Sequence, residues 1–431
     1  MNELLPLIEV SRSSPRDAAA RIRGRFPDLT TVEKRADEII RKVRSEGDAA
    51  LFRYSRELDR AEIGGKLRVE EDGIREAARR VDPKLKEAMR FSLDRIRKTQ
   101  SQLLQRLAYA YVSNGFVVRC APIPIESVGC YVPGGRASYA SSVLMTAGLA
   151  KLAGVKRIVL CTPPGRDGRV DDAILAAAEA CGVDETYRIG GAQSIAALAY
   201  GTETIAKVDK VVGPGGVYVS VAKRLVSRDV STDFFAGPTE IVVVGDESAD
   251  PKLVAWDLVG QAEHGEDTLC CFVTWHRPLA ERVRVEVTRI AKDVERGEFV
   301  RAALGRGSTA FCADRDAALG LVNAIAPEHL EVMVKDPKGF SDGVRSAGLV
   351  LVGKYAPCAA SDYCIGTDHV IPTRGTASSR AGLSVLDFVK LNWSVEGTRD
   401  GLRSVLPSLE ALSRSEGLPN HFRSARARFR R

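Results

Sequence analysis

The chain holds only five histidines, and four of them stand near groups able to share a proton or a metal. His264 lies in Gly260-Gln261-Ala262-Glu263-His264-Gly265. A helix ending there would put Gln261 and His264 on one face. His369 follows Asp362 in Ser361-Asp362-Tyr363-Cys364-Ile365-Gly366-Thr367-Asp368-His369, and His421 follows Glu416 near the end of the chain. Imidazole and carboxylate oxygens suit Zn²⁺, while an amide oxygen such as that of Gln261 is a less usual ligand. Spacing alone favours hydrogen-bonded histidines over a metal site.

His329 directly follows Glu328 in Ala326-Pro327-Glu328-His329-Leu330. Proline suits the first helical position, so the pair is expected in a first helical turn, facing different partners. Carboxylate and imidazole offer proton acceptors of different pKa, fit for two separate proton transfers. A glutamate complementing a helix dipole beside a capping histidine fits the same pattern. His276, in Thr274-Trp275-His276-Arg277-Pro278, has only a turn about it and is expected at the surface.

Three glycine-rich turns come next: Val132-Pro133-Gly134-Gly135-Arg136, Gly190-Gly191-Ala192-Gln193 and Gly213-Pro214-Gly215-Gly216. Each falls between an expected strand and an expected helix, where open α/β sheets bind ligands and helix-start N–H groups suit phosphate. None matches GxGxxG with an acidic residue about twenty positions on.

The elements that must position these residues change along the chain. Ala18–Arg23, Thr31–Leu58 and Arg75–Leu107 carry apolar residues at helical spacing. From about Phe116, short strands alternate with helices. The strands are 117–122, 127–132, 157–161, 186–189, 210–212 and 241–244, and the helices 140–153, 172–180, 194–200 and 217–226. That rhythm is βαβ, hence a parallel sheet. A second such stretch has helices at 253–263 and 279–295 and strands at 269–274 and 349–352, before helices at 383–390 and 402–416.

At 431 residues the chain has room for two or three domains. Hydrophobic residues at 45% and charged residues at 28% exclude a disordered or collagenous chain. No stretch reaches the roughly 18 apolar residues of a membrane helix, and no signal peptide is read at the start, so a cytoplasmic location is expected. Nine scattered cysteines without a CxxC pair give neither a disulfide framework nor a cysteine-held zinc. Net charge is only +7, with Arg423, Arg426, Arg428, Arg430 and Arg431 gathered at the end. A solvated or subunit-facing helix accounts for that cluster better than nucleic acid does.

Taken together, these residues resemble the histidinol dehydrogenase family along nearly the whole chain. The markers are Cys130-Tyr131-Val132-Pro133-Gly134-Gly135, the run from Ile189 to Thr202, Val212-Gly213-Pro214-Gly215 and Ala236-Gly237-Pro238-Thr239-Glu240. Gln261-Ala262-Glu263-His264-Gly265, Ala326-Pro327-Glu328-His329, Ser361-Asp362-Tyr363 with His369, and Glu416-Gly417-Leu418 with His421 complete the set, in the family's order. The resemblance implies oxidation of L-histidinol to L-histidine through bound L-histidinaldehyde, with two hydride transfers to NAD⁺. It implies one zinc on Gln261, His264, Asp362 and His421, with His329 and Glu328 carrying protons. It implies substrate contacts from Thr239, Gln261, His264, His329, Asp362, His369, Glu416 and His421, and cofactor contacts from Tyr131, Gln193 and Gly216. The C-terminal tail would cross to the partner of a homodimer with shared sites. Family members commonly carry Asn at the position of Gly216, and many carry Ser at that of Thr239.

The expected fold is α/β, two incomplete Rossmann-like parallel-sheet domains, one inserted in the other. An N-terminal helical arm would span 1–25, the split first domain 26–128 and 238–378, the inserted domain 129–237 and the C-terminal tail 379–431. Competing readings are an NAD-dependent dehydrogenase of another small alcohol and a zinc hydrolase with Glu328 as base. None of Cys130, Cys358 or Cys364 has an activating partner in the sequence, so a thiol nucleophile is not expected, and neither nucleic acid nor membrane is an expected partner.

Overall fold

The computed structural model describes residues 3–24, 29–134, 138–234 and 237–429. Gly135, Arg136, Ala236, Arg430 and Arg431 of the motifs above lie outside these. Two parallel sheets organise the chain. One has six strands in the spatial order Leu7–Val10, Ser308–Cys312, Leu269–Thr274, Glu240–Gly245, His329–Met333 and Leu349–Val352. The other has five, in the order Glu185–Arg188, Arg157–Thr162, Ser127–Tyr131, Lys210–Val212 and Ser231–Thr232. The whole five-stranded sheet is inserted between the first strand of the six-stranded sheet and its next, which is the expected nested α/β arrangement.

Both sheets are covered on two faces, so their central strands read as unbroken apolar runs. Glu240–Gly245 and Leu269–Thr274 are buried at every residue. On the six-stranded sheet, helices Pro251–Ala262, Arg277–Ile290 and Gly297–Arg306 line one face, and Pro15–Arg23 and Arg315–Ile325 the other. Each fully buried Leu, Ile or Val there contributes roughly 1.5–3 kcal/mol of transfer free energy.

Several expectations are corrected. Residues 7–23, expected within a helical arm, supply an edge strand paired with Ser308–Cys312 and a helix packed on Arg315–Ile325. The long helix expected from Thr31 breaks at Gly47, whose φ of 55° is left-handed, into Thr30–Glu46 and Asp48–Tyr54. The one expected from Arg75 to Leu107 divides before Pro83 into Glu71–Arg80 and Pro83–Gln105. These N-terminal helices pack on the five-stranded sheet. The helix expected at 383–390 is a short 3₁₀ turn, Val385–Phe388, followed by strand Val389–Gly397.

That strand pairs antiparallel with Phe116–Pro124, which also pairs with Tyr109–Ser113. Helices Arg399–Ser415 and Pro419–Ala427 follow and pack on each other. Sheet and helices form an exposed arm bearing Tyr109, Tyr111, Val112, Leu391, Trp393 and Val395 at its surface. No helix of the described residues is long and apolar enough to cross a membrane.

Candidate active site

Glu328 and His329 are not in a helix turn: His329 opens the buried strand His329–Met333, and Glu328 precedes it. Ala326, with φ 47°, ends helix Arg315–Ile325 and turns the chain into that strand. The neighbouring strand starts at Glu240, so the site lies at the amino ends of two central strands. His329 Nδ1 sits 3.1 Å from the Glu240 carbonyl oxygen, which accepts its N–H. Nε2 is left bare or protonated, 3.5 Å from Asp362 Oδ1. Burial alone would lower the His329 pKa, but Glu328, Cys358 and Asp362 hold it well above the ordinary value.

Glu328 Oε2 accepts hydrogen bonds from the Thr239 hydroxyl and, at 2.7 Å, from the Glu240 N–H. Thr239 in turn accepts from Gln261 Nε2 at 2.7 Å. A chain of donors therefore runs Gln261, Thr239, Glu328. Glu240 itself is buried and accepts the N–H groups of Arg374 and Glu328, with burial pushing its pKa up to about 8.

Asp362, on the short helix Cys358–Tyr363, faces this pair. Burial pushes its carboxyl up, yet His329, His369 and His264 bring it below its ordinary value. Its Oδ1 is buried without a hydrogen-bond partner, as is His329 Nε2. Gln261 Oε1 meets only the Cys358 thiol, at 3.4 Å. Cys358 Sγ, His329 and Asp362 converge with ligand atoms within 4.8 Å of one another. The unsatisfied Asp362 Oδ1, with Gln261 Oε1 held only by a weak thiol donor beside it, fits a divalent cation. Burial pushes the Cys358 thiol up to about 12, which agrees with the expectation against a cysteine nucleophile.

His264 lies just past helix Pro251–Ala262, exposed at the mouth of the site, its N–H bonded to Gln261 O at 3.2 Å. The half-buried His369 turns Nδ1 to the Asp362 carbonyl at 2.8 Å and Nε2 to Ser142 Oγ at 3.3 Å, linking the two sheets' domains. His421 and Glu416 are not brought to this centre within the single chain; both are exposed on the C-terminal arm. His276 is half-buried at the start of helix Arg277–Ile290, not a free surface residue.

Behind the site, Glu331 shares the His329 side of its strand, accepts the Cys358 N–H and pairs with Asp257. Burial raises both carboxyls, and Asp257 adds to the rise of Glu331, to about 9, while the hydrogen bond from Glu331 moderates that of Asp257. The folded state therefore binds these protons more tightly than the unfolded chain, and stability falls as pH rises from the ordinary 4.5 toward about 9. Glu331→Gln removes that slope: its melting temperature drops less than the parent's between pH 5 and pH 8.5 when followed by circular dichroism. An equal drop in both would contradict the shared-proton account. Sequence reasoning passed over Glu240, Glu331 and Cys358; the available signal was a carboxylate inside otherwise apolar strand runs, EIVVVG and HLEVM.

The glycine turns meet at the carboxyl edge of the five-stranded sheet. The Tyr131 hydroxyl accepts the Gly191 N–H at 3.4 Å, and its ring lies against Gly215. Tyr131 and Gln193 are buried, at 4% and 0% exposure. Gly213, at φ 117°, is held by an internal ion pair: Asp233 accepts its N–H at 2.8 Å while Lys223 donates to its carbonyl at 2.8 Å. Gly216 caps helix Val217–Val226 with open space where a side chain would stand.

Fold and site define a nested two-sheet α/β enzyme whose buried histidine and carboxylates face a glycine-turn edge. The histidinol dehydrogenase family model matches residues 25–429. A histidinol dehydrogenase of Methanothermobacter thermautotrophicus is 42% identical over 394 residues, 91% of this chain and 92% of that protein. One of Bacillus cereus is 44% identical over 400 residues, 93% of each. The crystal structure of histidinol dehydrogenase from Elizabethkingia anophelis superposes with TM-score 0.93 at 31% identity, covering 99% of this chain and 98% of that one. The chain belongs to the histidinol dehydrogenase family, a family of oxidoreductases.

Proposed function

We propose that the protein oxidises L-histidinol to L-histidine through bound L-histidinaldehyde, with two successive hydride transfers to NAD⁺. The observation that carries this reading is the adjacent Glu328 and His329 at one strand start, His329 fixed by the Glu240 carbonyl and Glu328 by the Glu240 N–H and the Thr239 hydroxyl. Glu240 O fixes Nδ1 as donor, so Nε2 is the acceptor that takes the alcohol proton as the first hydride leaves. In the free chain Glu328, Cys358 and Asp362 together favour the protonated ring. A cation held by Asp362 would oppose that charge and favour the neutral ring, the form that acts as base. Glu328, oriented by Thr239 and the Glu240 N–H, activates the water that hydrates the aldehyde before the second oxidation.

Gln261, His264 and Asp362 would hold a zinc ion, with His421 as fourth ligand. Bound there, zinc supplies a fixed positive charge that orients the substrate's nitrogens and alcohol oxygen. Thr239, His369 and Glu416 would complete the substrate contacts, and Tyr131, Gln193 and Gly216 the cofactor edge. The apolar surface of the C-terminal arm supports a homodimer in which that arm brings Glu416 and His421 to the partner's site. Nine free thiols, eight of them buried, agree with a cytoplasmic enzyme. The zinc hydrolase and the dehydrogenase of another alcohol are not favoured by the family match.

A chelator is expected to abolish L-histidinol-dependent NADH formation, and added Zn²⁺ to restore it. Full activity in protein shown by elemental analysis to be metal-free would sink the zinc assignment.

A further inference from the structure

One acid, Asp59, stands beside the glycine turns and apart from the His329 centre. Asp59 ends the wide π-helical turn Ser55–Asp59 and sets its carboxyl against the Gly190-Gly191 turn. Its Oδ2 accepts from Gln193 Nε2 at 3.4 Å, and the Gly190 N–H also donates to it. Gln193 and Tyr131 are buried, whereas Asp59 keeps partial solvent exposure. Among these three, the carboxylate is what the turn offers to a ligand. Its burial is substantial enough to push its pKa up to about 6, so new hydroxyl donors would replace solvation that it now lacks.

Position and sign then decide which part of a dinucleotide fits. N–H groups at the start of helix Gly191–Tyr200 would ordinarily draw phosphate, but a fixed carboxylate already faces them and repels a second anion. The start of helix Val217–Val226 is different: Gly216 carries no capping side chain and space beyond it is open. The Tyr131 ring joins the two turns. Phosphate charge thus belongs at Gly216 and neutral hydroxyls at Asp59.

We propose that Asp59 accepts the adenosine ribose hydroxyls of the dinucleotide and excludes a 2′-phosphorylated cofactor, making it the residue that selects NAD⁺ over NADP⁺. Gln193 acts as its positioning residue, holding the carboxylate from beneath. This assignment rests on the dehydrogenase reading above.

The test is steady-state kinetics of the full-length enzyme with saturating L-histidinol and varied NAD⁺ or NADP⁺. Asp59→Asn raises the KM for NAD⁺ by about tenfold or more, with the loss falling on KM rather than kcat. The same variant narrows the NAD⁺-to-NADP⁺ ratio of kcat/KM by about tenfold or more, and Asp59→Glu keeps the parental preference. An unchanged ratio in a folded Asp59→Asn protein overturns the proposal, as does a loss confined to kcat. A second measurement uses the parent protein alone. ADP-ribose competes with NAD⁺, while its 2′-phosphate does not at the same concentration; equal competition overturns the proposal. Failure of the parent to reduce NAD⁺ with L-histidinol, despite binding ADP-ribose, would instead overturn the dehydrogenase reading.

Discussion

His329→Ala lowers kcat for L-histidinol oxidation by about 10²–10⁴-fold, the span that a positioned general base contributes. Nδ1 is committed to the Glu240 carbonyl, and Nε2 is buried with no hydrogen-bond partner, aimed at the spot where Asp362 Oδ1 is also unsatisfied. Removing the ring leaves the alcohol proton without an acceptor. Glu328→Gln acts on the other half of the reaction, because an amide still accepts from Thr239 but no longer draws a proton from water. Supplied L-histidinaldehyde separates the two: the His329 variant recovers rate on aldehyde, and the Glu328 variant does not. Equal losses on both substrates in both variants would contradict the division of labour.

His421→Ala is expected to cost as much as any change in the centre, although His421 is exposed and remote from it within one chain. It supplies a zinc ligand only if the arm crosses to a second subunit. Mixing is the informative form of the experiment. His421→Ala and His329→Ala subunits, each inactive alone, form hybrid dimers in which one of the two sites has both residues intact. Random re-association then recovers about a quarter of the parental activity. No recovery, with hybrids shown by native mass spectrometry, would mean that each site is built from one chain.

Element by element, the sequence told most where periodicity and burial agreed. Helix Ala140–Ala153 and strands Lys210–Val212, Leu269–Thr274 and Leu349–Val352 match the periodicity reading to the residue. Strand Val389–Gly397 was hidden because Val385 and Phe388 before it are buried at helical spacing and run straight into its own alternation at Val389. His329–Met333 misled for another reason. Pro327 is a fair helix-start signal, and the alternation in HLEVM is too short to oppose it.

The site was legible as residue types and much less as a place. Ligand sites in open α/β sheets are sought at the carboxyl ends of strands. Glu240 and His329 open theirs, and the site is tied to the other sheet's domain by His369, which meets Ser142 of helix Ala140–Ala153. No local pattern carries that opposition. Cys358 was equally silent: only folding puts its thiol between Gln261 and Asp362.

The most direct test of the account is the NADH formed per L-histidinol consumed, read by absorbance with zinc-loaded protein. About two NADH per substrate, with L-histidine as product, is the predicted result, since His329 and Glu328 each serve one oxidation. About one NADH per substrate, with free L-histidinaldehyde accumulating, would contradict it.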